Sequence, residues 1–151
     1  MSLHNVALQW NRQTEDFKYE TYSRDHTWTF DNGVVVDASA TPQFLGNESR
    51  VDPEESFVAS ISSCHMLTFL AIAARKRWRV DSYQDSAVGV LEKNATGRLA
   101  STRVTLKPRI VFSGDKKPTP DDMQRTHEVA HRECFIANSV NTQITVEGEA
   151  A

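Results

Sequence analysis

The feature that most constrains the fold is one long segment between Asp52 and Arg77 that contains no glycine and no proline beyond its second residue. Asp52 can cap a helix, Pro53 suits the first helical position, and Glu55 stands where a capping box has its acid. The segment predicts a helix that runs to about Arg77. Its apolar residues occupy much of the helix circumference, with Phe57, Ile61, Cys64 and Thr68 on one side and Val58, Leu67, Leu70 and Ala74 on others. Such a helix needs burial on several sides.

Alternating polar and apolar residues before and after this helix predict strands. The first third contains two or three antiparallel strands with a turn at Asn32-Gly33. After the helix, SYQDSAVGVLEK and STRVTLKPRIVF predict two further strands, and SVNTQITVEGEA predicts a last one. A second helix should begin with Thr119 as cap and end near Cys134 or Phe135. The class is α+β, with a single domain over residues 1–151.

Composition and charge exclude several classes of function. The chain has 151 residues, a net charge of -3 and no basic block, so nucleic acid is not an expected partner. There is no run of about eighteen apolar residues, and the polar start lacks the apolar core of a signal peptide. We therefore expect a cytoplasmic protein without membrane contact. Thiols stay reduced in that compartment, which favours a catalytic, redox or metal-binding cysteine pair over a structural disulfide.

The two cysteines are Cys64, in the middle of the long helix, and Cys134, seventy positions downstream. A buried cysteine far from a helix N-terminus is inert unless a cation stabilises its thiolate, so packing alone also accounts for Cys64. Only tertiary structure can bring the two sulfurs within bonding distance.

A metal site is an alternative. His127, His131 and Cys134 follow helical spacing, and His65 or Cys64 from the other helix could complete a tetrahedral set. The spacing matches no zinc motif, and histidines four residues apart are common on solvated helix faces.

Three stretches and the order of the elements carry a family resemblance. They are YSRDHTWTFDNG at residues 22–33, DPEESFVASISSC, which ends at Cys64, and ECFIANSV around Cys134. Together they resemble the OsmC/Ohr family of osmotically inducible and organic-hydroperoxide-resistance proteins. The resemblance covers nearly the whole chain and leaves the subfamily open, since Phe135 stands where many relatives carry proline and His65 follows Cys64 in some branches only.

The resemblance implies an OsmC-like fold, with antiparallel strands around a long central helix, in an intertwined homodimer. It also implies a thiol-dependent peroxidase that reduces organic hydroperoxides and uses no metal or organic cofactor. By position, Cys64 would be the peroxidatic cysteine and Cys134 the resolving cysteine, with Arg24 as the cation beside the thiolate and Glu54 as the acid that pairs with Arg24. An external dithiol or a lipoylated protein would be the reductant. A metal-binding or small-ligand-binding dimer with the same fold is the alternative function.

Each of these residues also has a purely structural explanation. Arg24 could be a surface arginine, although its permanent charge suits thiolate stabilisation. Glu54 could simply favour the helix N-terminus, and ten residues of helix would put it about 15 Å from Cys64. Ordinary core positions are expected for Phe57, Ile61, Met66 and Phe135, and His65 is expected to be a hydrogen-bonded core histidine.

Overall fold

The computed structural model describes residues 1–150, with side chains as far as Gly148. The chain forms two compact units, Met1–Ser56 and a second that begins at Phe57. The single domain over residues 1–151 stays a prediction. Residue 151 lies outside the described residues.

The first unit is built on a three-stranded antiparallel sheet. Its strands are β1 (Val6–Gln9), β2 (His26–Phe30) and β3 (Val35–Ala38), in the order β1-β2-β3. The predicted turn joins β2 to β3, and Gly33 adopts a φ of 82° that favours glycine. The two or three strands expected here are therefore confirmed.

Helix α1 spans Pro53–Arg75 and begins as the sequence predicts. The Asp52 carboxylate accepts a hydrogen bond from the Glu55 N–H, and the Glu55 carboxylate accepts one from the Asp52 N–H, which completes a capping box. The helix ends in a Schellman-type turn, where Arg77 has a φ of 62° and the Trp78 N–H donates to the Ala73 carbonyl.

The burial of α1 differs from the prediction. The fully buried positions form one stripe at spacings of four residues, made of Ile61, His65, Phe69 and Ala73. Cys64 and Thr68 are only half-buried, and Leu67 is 61% exposed. The reason is that the sheets of a single chain cover one side of the helix. Burial on several sides, and with it the homodimer, stays a prediction.

The second unit contains more strands than expected between its helices. The two predicted segments form four strands, β4 (Arg79–Asp85), β5 (Val88–Lys93), β6 (Leu99–Leu106) and β7 (Pro108–Ser113). The prediction of two was wrong because each segment changes direction in its middle. The Asp85 carboxylate accepts the Lys107 N–H, which joins the two bends.

Helix α2 spans Pro120–Glu133 and is followed by β8 (Gln143–Val146) and β9 (Glu149–Ala150). Thr119 and Asp122 form its capping box, and Cys134 is its C-terminal cap, so the predicted helix is confirmed. Two three-stranded sheets result, β4-β7-β9 and β5-β6-β8. Within them β4 pairs with β7 and β5 with β6 in the antiparallel sense, whereas β8 and β9 join in parallel.

Two apolar clusters hold this unit together. One joins α1 to α2 and the β4-β7 pair through Phe69, Trp78, Ile110 and Met123. The other packs Ile61 against Val104 and Leu106 of β6. The buried stripe of α1 contributes Ile61 to one cluster and Phe69 to the other. His65 lies between these two residues on the stripe, so the packing of both clusters fixes its position.

Among the described residues, α1 is the one helix long and apolar enough to cross a membrane, with a mean hydropathy of 1.8. Core helices of soluble proteins meet the same criterion. The polar residues of α1 contact the protein itself, since the Ser62 hydroxyl donates to Asp85 and His65 bonds to His127. These contacts identify α1 as a core helix.

Candidate functional site: two thiols in contact

The structure brings the two cysteines together. Cys64, in the middle of α1, lies close enough to Cys134, at the end of α2, for its side chain to raise the pKa of the Cys134 thiol. Both are free thiols, and Cys134 is buried at 1% exposure while Cys64 is half-buried. Disulfide formation therefore requires a short movement of two sulfurs that are already neighbours.

The backbone after α2 fixes the position of Cys134. Its N–H donates to the His131 carbonyl at 3.3 Å, and its own carbonyl accepts the Asn138 N–H at 3.0 Å. The Ala137 N–H donates to the Cys134 sulfur at 3.4 Å. The sulfur is thus held by the main chain of the turn that leads into the short 3-10 helix Ala137–Ser139.

Burial dominates the electrostatics of Cys134. It raises the pKa of this thiol, the hydrogen bond with Cys64 raises the pKa further, and the N–H groups of Ala137 and Ile136 act in the opposite direction. Cys134 is therefore mainly a neutral thiol at neutral pH, next to the more accessible sulfur of Cys64.

Arg24 lies in the first unit, in the loop before β2. Its guanidinium donates to the carbonyls of Tyr19 and Tyr22 and lies 3.7 Å from the centroid of the Tyr22 ring. Glu54 is in the first turn of α1. Within residues 1–150 these two side chains form no ion pair with each other. The predicted pairing of Arg24 with Glu54 stays a prediction.

Sequence reasoning missed an apolar pocket beside Arg24. The pocket has a volume of about 420 Å³ and lies within the first unit; it is lined by Trp10, Phe17, Tyr22, Arg24, His26, Ser39, Ala40 and Pro53. Its aromatic walls come from the segment before β2, where Trp10, Phe17 and Tyr22 contact one another. The clustering of aromatic residues between Trp10 and Tyr22 was the available signal.

The candidate metal ligands do not converge. His127 is buried and bonds to His65, Cys134 is buried beside Cys64, and His131 is exposed. His131 lies one turn further along α2, where the helix is exposed to solvent. No three His, Cys, Asp or Glu side chains within the described part of the chain are arranged to hold a metal ion.

Two neighbours of the cysteines, both predicted to occupy core positions, differ in burial. His65 is 1% exposed and hydrogen-bonded, so the prediction of a core histidine is confirmed. Phe135 is 81% exposed, so the prediction of a core position was wrong for this residue. It follows the C-terminal cap of α2, where the chain leaves the helix face that packs on the core.

The fold and the thiol pair define an α+β protein with two cysteines in contact across two helices. The sequence profile of the family described as OsmC-like protein matches residues 46–149. The chain belongs to this family.

Comparison with solved structures agrees with this assignment. An OsmC-like protein of unknown function from Vibrio cholerae is 49% identical, with a TM-score of 0.95 over 99% of this chain and 100% of its own. Organic hydroperoxide resistance proteins from Elizabethkingia anophelis and Bacillus subtilis share the fold at 17% and 18% identity, with TM-scores of 0.73 and 0.70. The first match covers 100% of this chain and 96% of the other, and the second covers 98% of both. The search of curated proteins gave no match.

Proposed function

We propose that this protein is a thiol-dependent peroxidase that reduces organic hydroperoxides to alcohols. The observation that carries the proposal is the proximity of Cys64 and Cys134, two thiols seventy positions apart, the first of which raises the pKa of the second. Two relatives in fold are named organic hydroperoxide resistance proteins, which supports a redox role at the level of the family.

In the first step the Cys64 thiolate attacks one oxygen of the hydroperoxide. The O–O bond breaks, the alcohol leaves after taking up a proton, and Cys64 becomes a sulfenic acid. Cys64 is assigned this step because it is the more exposed of the two cysteine residues, and a substrate must reach the nucleophile.

In the second step the Cys134 sulfur attacks the Cys64 sulfur. The S–O bond breaks, water leaves, and a Cys64–Cys134 disulfide forms. Burial suits Cys134 to this role, because a cysteine residue that is 1% exposed meets its intramolecular partner before any external oxidant. An external dithiol or a lipoylated protein would then reduce the disulfide, and the cycle needs no metal or organic cofactor.

Arg24 and Glu54 complete the proposed site. Arg24 would favour the thiolate over the thiol and polarise the peroxide, and Glu54 would orient Arg24. The pocket beside Arg24 supports an organic substrate, because its apolar walls would bind an alkyl or aryl group that hydrogen peroxide lacks. The homodimer and the cytoplasmic location belong to the same proposal.

The test is to treat the reduced protein with one equivalent of cumene hydroperoxide, count the remaining thiols and map the disulfide by mass spectrometry. We expect both thiols to be consumed and Cys64 to be linked to Cys134 within one chain. Cys64→Ser should lose turnover, whereas Cys134→Ser should accumulate a sulfenic acid that dimedone traps. Two free thiols remaining after the treatment would exclude the peroxidase.

A further inference from the structure

A buried histidine pair links the two helices that carry the cysteines. His65 Nε2 and His127 Nδ1 lie 3.0 Å apart, so one ring donates a hydrogen bond to the other. The ring planes differ by 7°, and the side chains are 1% and 8% exposed. The Phe69 ring packs against His127 at 4.7 Å between ring centroids. The Lys76 ammonium, one residue beyond α1, also donates to the Thr126 hydroxyl of α2 at 3.2 Å, but that contact is half-buried, whereas the histidine pair is buried.

Stability alone does not explain this pair. His65 Nδ1 and His127 Nε2 are buried and have no hydrogen-bond partner among the residues that the structure describes. Two neutral imidazoles that share one hydrogen bond always leave one N–H and one lone pair at their outer ends, whichever tautomer forms. Buried polar atoms without partners destabilise a fold, and apolar side chains of similar size would avoid this penalty.

The histidine pair and the two thiols lie on the same two helices. His65 follows Cys64 directly on α1, and His127 precedes Cys134 by seven residues on α2. Seven residues are nearly two helical turns, so His127 and Cys134 project from the same face of α2, about 10 Å apart. Both contacts therefore join the same two helices. A rotation or translation of α1 against α2 that breaks one contact displaces the other.

We propose that His65 and His127 are positioning residues, whose hydrogen bond holds α1 against α2 so that the sulfurs of Cys64 and Cys134 meet. A disulfide forms only within a narrow range of distance and angle between the two cysteines. Deviation from that range stores strain in the disulfide and makes it easier to reduce, which lowers its equilibrium constant of formation. The proposal rests on the proposed function in one respect, which is that the disulfide serves a catalytic cycle.

The test compares apolar and polar replacements of the pair. His65→Leu and His127→Leu remove the hydrogen bond and fill similar volumes. The double variant His65→Gln with His127→Asn keeps a donor and an acceptor near the two bonded nitrogens. His131→Leu is the matched control, because His131 is exposed on the same helix as His127.

Two properties are measured for each variant. One is the equilibrium between the dithiol and the Cys64–Cys134 disulfide in a buffer of reduced and oxidised glutathione, and the other is the denaturant stability of the reduced protein. In the exchange, oxidised glutathione takes two electrons and two protons from the thiols and becomes two molecules of reduced glutathione. Since no hydroperoxide is present, this measurement stands even if the peroxidase proposal fails.

We expect each leucine variant to lower the disulfide equilibrium constant about tenfold or more without lowering the stability of the reduced protein. The double polar variant and His131→Leu should stay within about threefold of the unchanged protein. If the histidine pair had a merely structural role, each leucine variant would lower both the stability of the reduced protein and the disulfide equilibrium constant. That result overturns the proposal, as does an unchanged equilibrium constant in folded leucine variants or a failure of the double polar variant to restore it.

Discussion

Acid is expected to destabilise the folded protein through His65. Burial lowers the pKa of this histidine from 6.5 to about 4, the charges of His127 and His131 lower it as well, and Asp85 opposes them. Between these two values the unfolded chain binds a proton that the folded chain does not. The contribution of neutral His65 to the free energy of unfolding is therefore fully present above pH 6.5. It is lost as the pH falls and is gone below about pH 4.

The size of the effect follows from the difference between the two pKa values of His65. At about 1.4 kcal/mol per pKa unit, the complete loss is about 3 kcal/mol, of which about 2 kcal/mol is lost by pH 5. His127 acts in the same direction, because burial lowers its pKa too. Such a loss is a large part of the stability of a small domain.

The assay is denaturant unfolding of the reduced protein at pH 7 and pH 5. The unchanged protein should lose about 2 kcal/mol more than His65→Leu, which has no proton to bind at this position. His131→Leu removes one of the charges that lower the pKa of His65, so it should lose slightly less stability than the unchanged protein. Equal losses in the unchanged protein and in His65→Leu would refute the reasoning, because carboxylates would then account for the whole effect.

Three further predictions concern other parts of the chain. Arg24→Ala should slow alkylation of Cys64 by iodoacetamide about tenfold relative to Arg24→Lys at fixed pH, because the thiolate is the reactive form; equal rates would remove Arg24 from the site. Gly46→Ala should destabilise by about 3 kcal/mol or prevent folding, since a Cβ there would lie 1.5 Å from a backbone oxygen. Gly97→Ala, at a turn φ of 79° with open space around it, should lower the free energy of unfolding by about 1 kcal/mol. If thermal unfolding shows equal losses of stability for Gly46→Ala and Gly97→Ala, the steric argument is contradicted. Asp85→Asn should lower the free energy of unfolding by about 2 kcal/mol, because the Asp85 carboxylate accepts a hydrogen bond from the Ser62 hydroxyl. In a double-mutant cycle its effect should not add to that of Ser62→Ala, and strict additivity would exclude the coupling.

The helix boundaries were predictable because the signals that determine them are local. Asp52 with Glu55 and Thr119 with Asp122 each lie three residues apart, so a helix start places their groups in contact whatever the rest of the chain does. The turn at Gly33 is local in the same sense. Family membership was also accessible, since it depends on short motifs around Cys64.

The strand count in the second unit and the burial of α1 were not predictable in this way. The bend after β4 is joined to the chain before β7 by the bond from Lys107 to Asp85, twenty-two residues apart. The parallel pairing of β8 with β6 likewise joins distant segments. Alternation of polar and apolar residues indicates that a strand exists and not which strand it pairs with.

The amino-acid sequence by itself determined the α+β class, the starts of both helices and the two thiols that make redox chemistry a candidate. Tertiary structure alone decided that Cys64 meets Cys134, that His65 meets His127, and that His131 faces solvent. The physical reason is that contacts between residues sixty or seventy positions apart depend on how two helices pack, and no interaction along the chain specifies that packing.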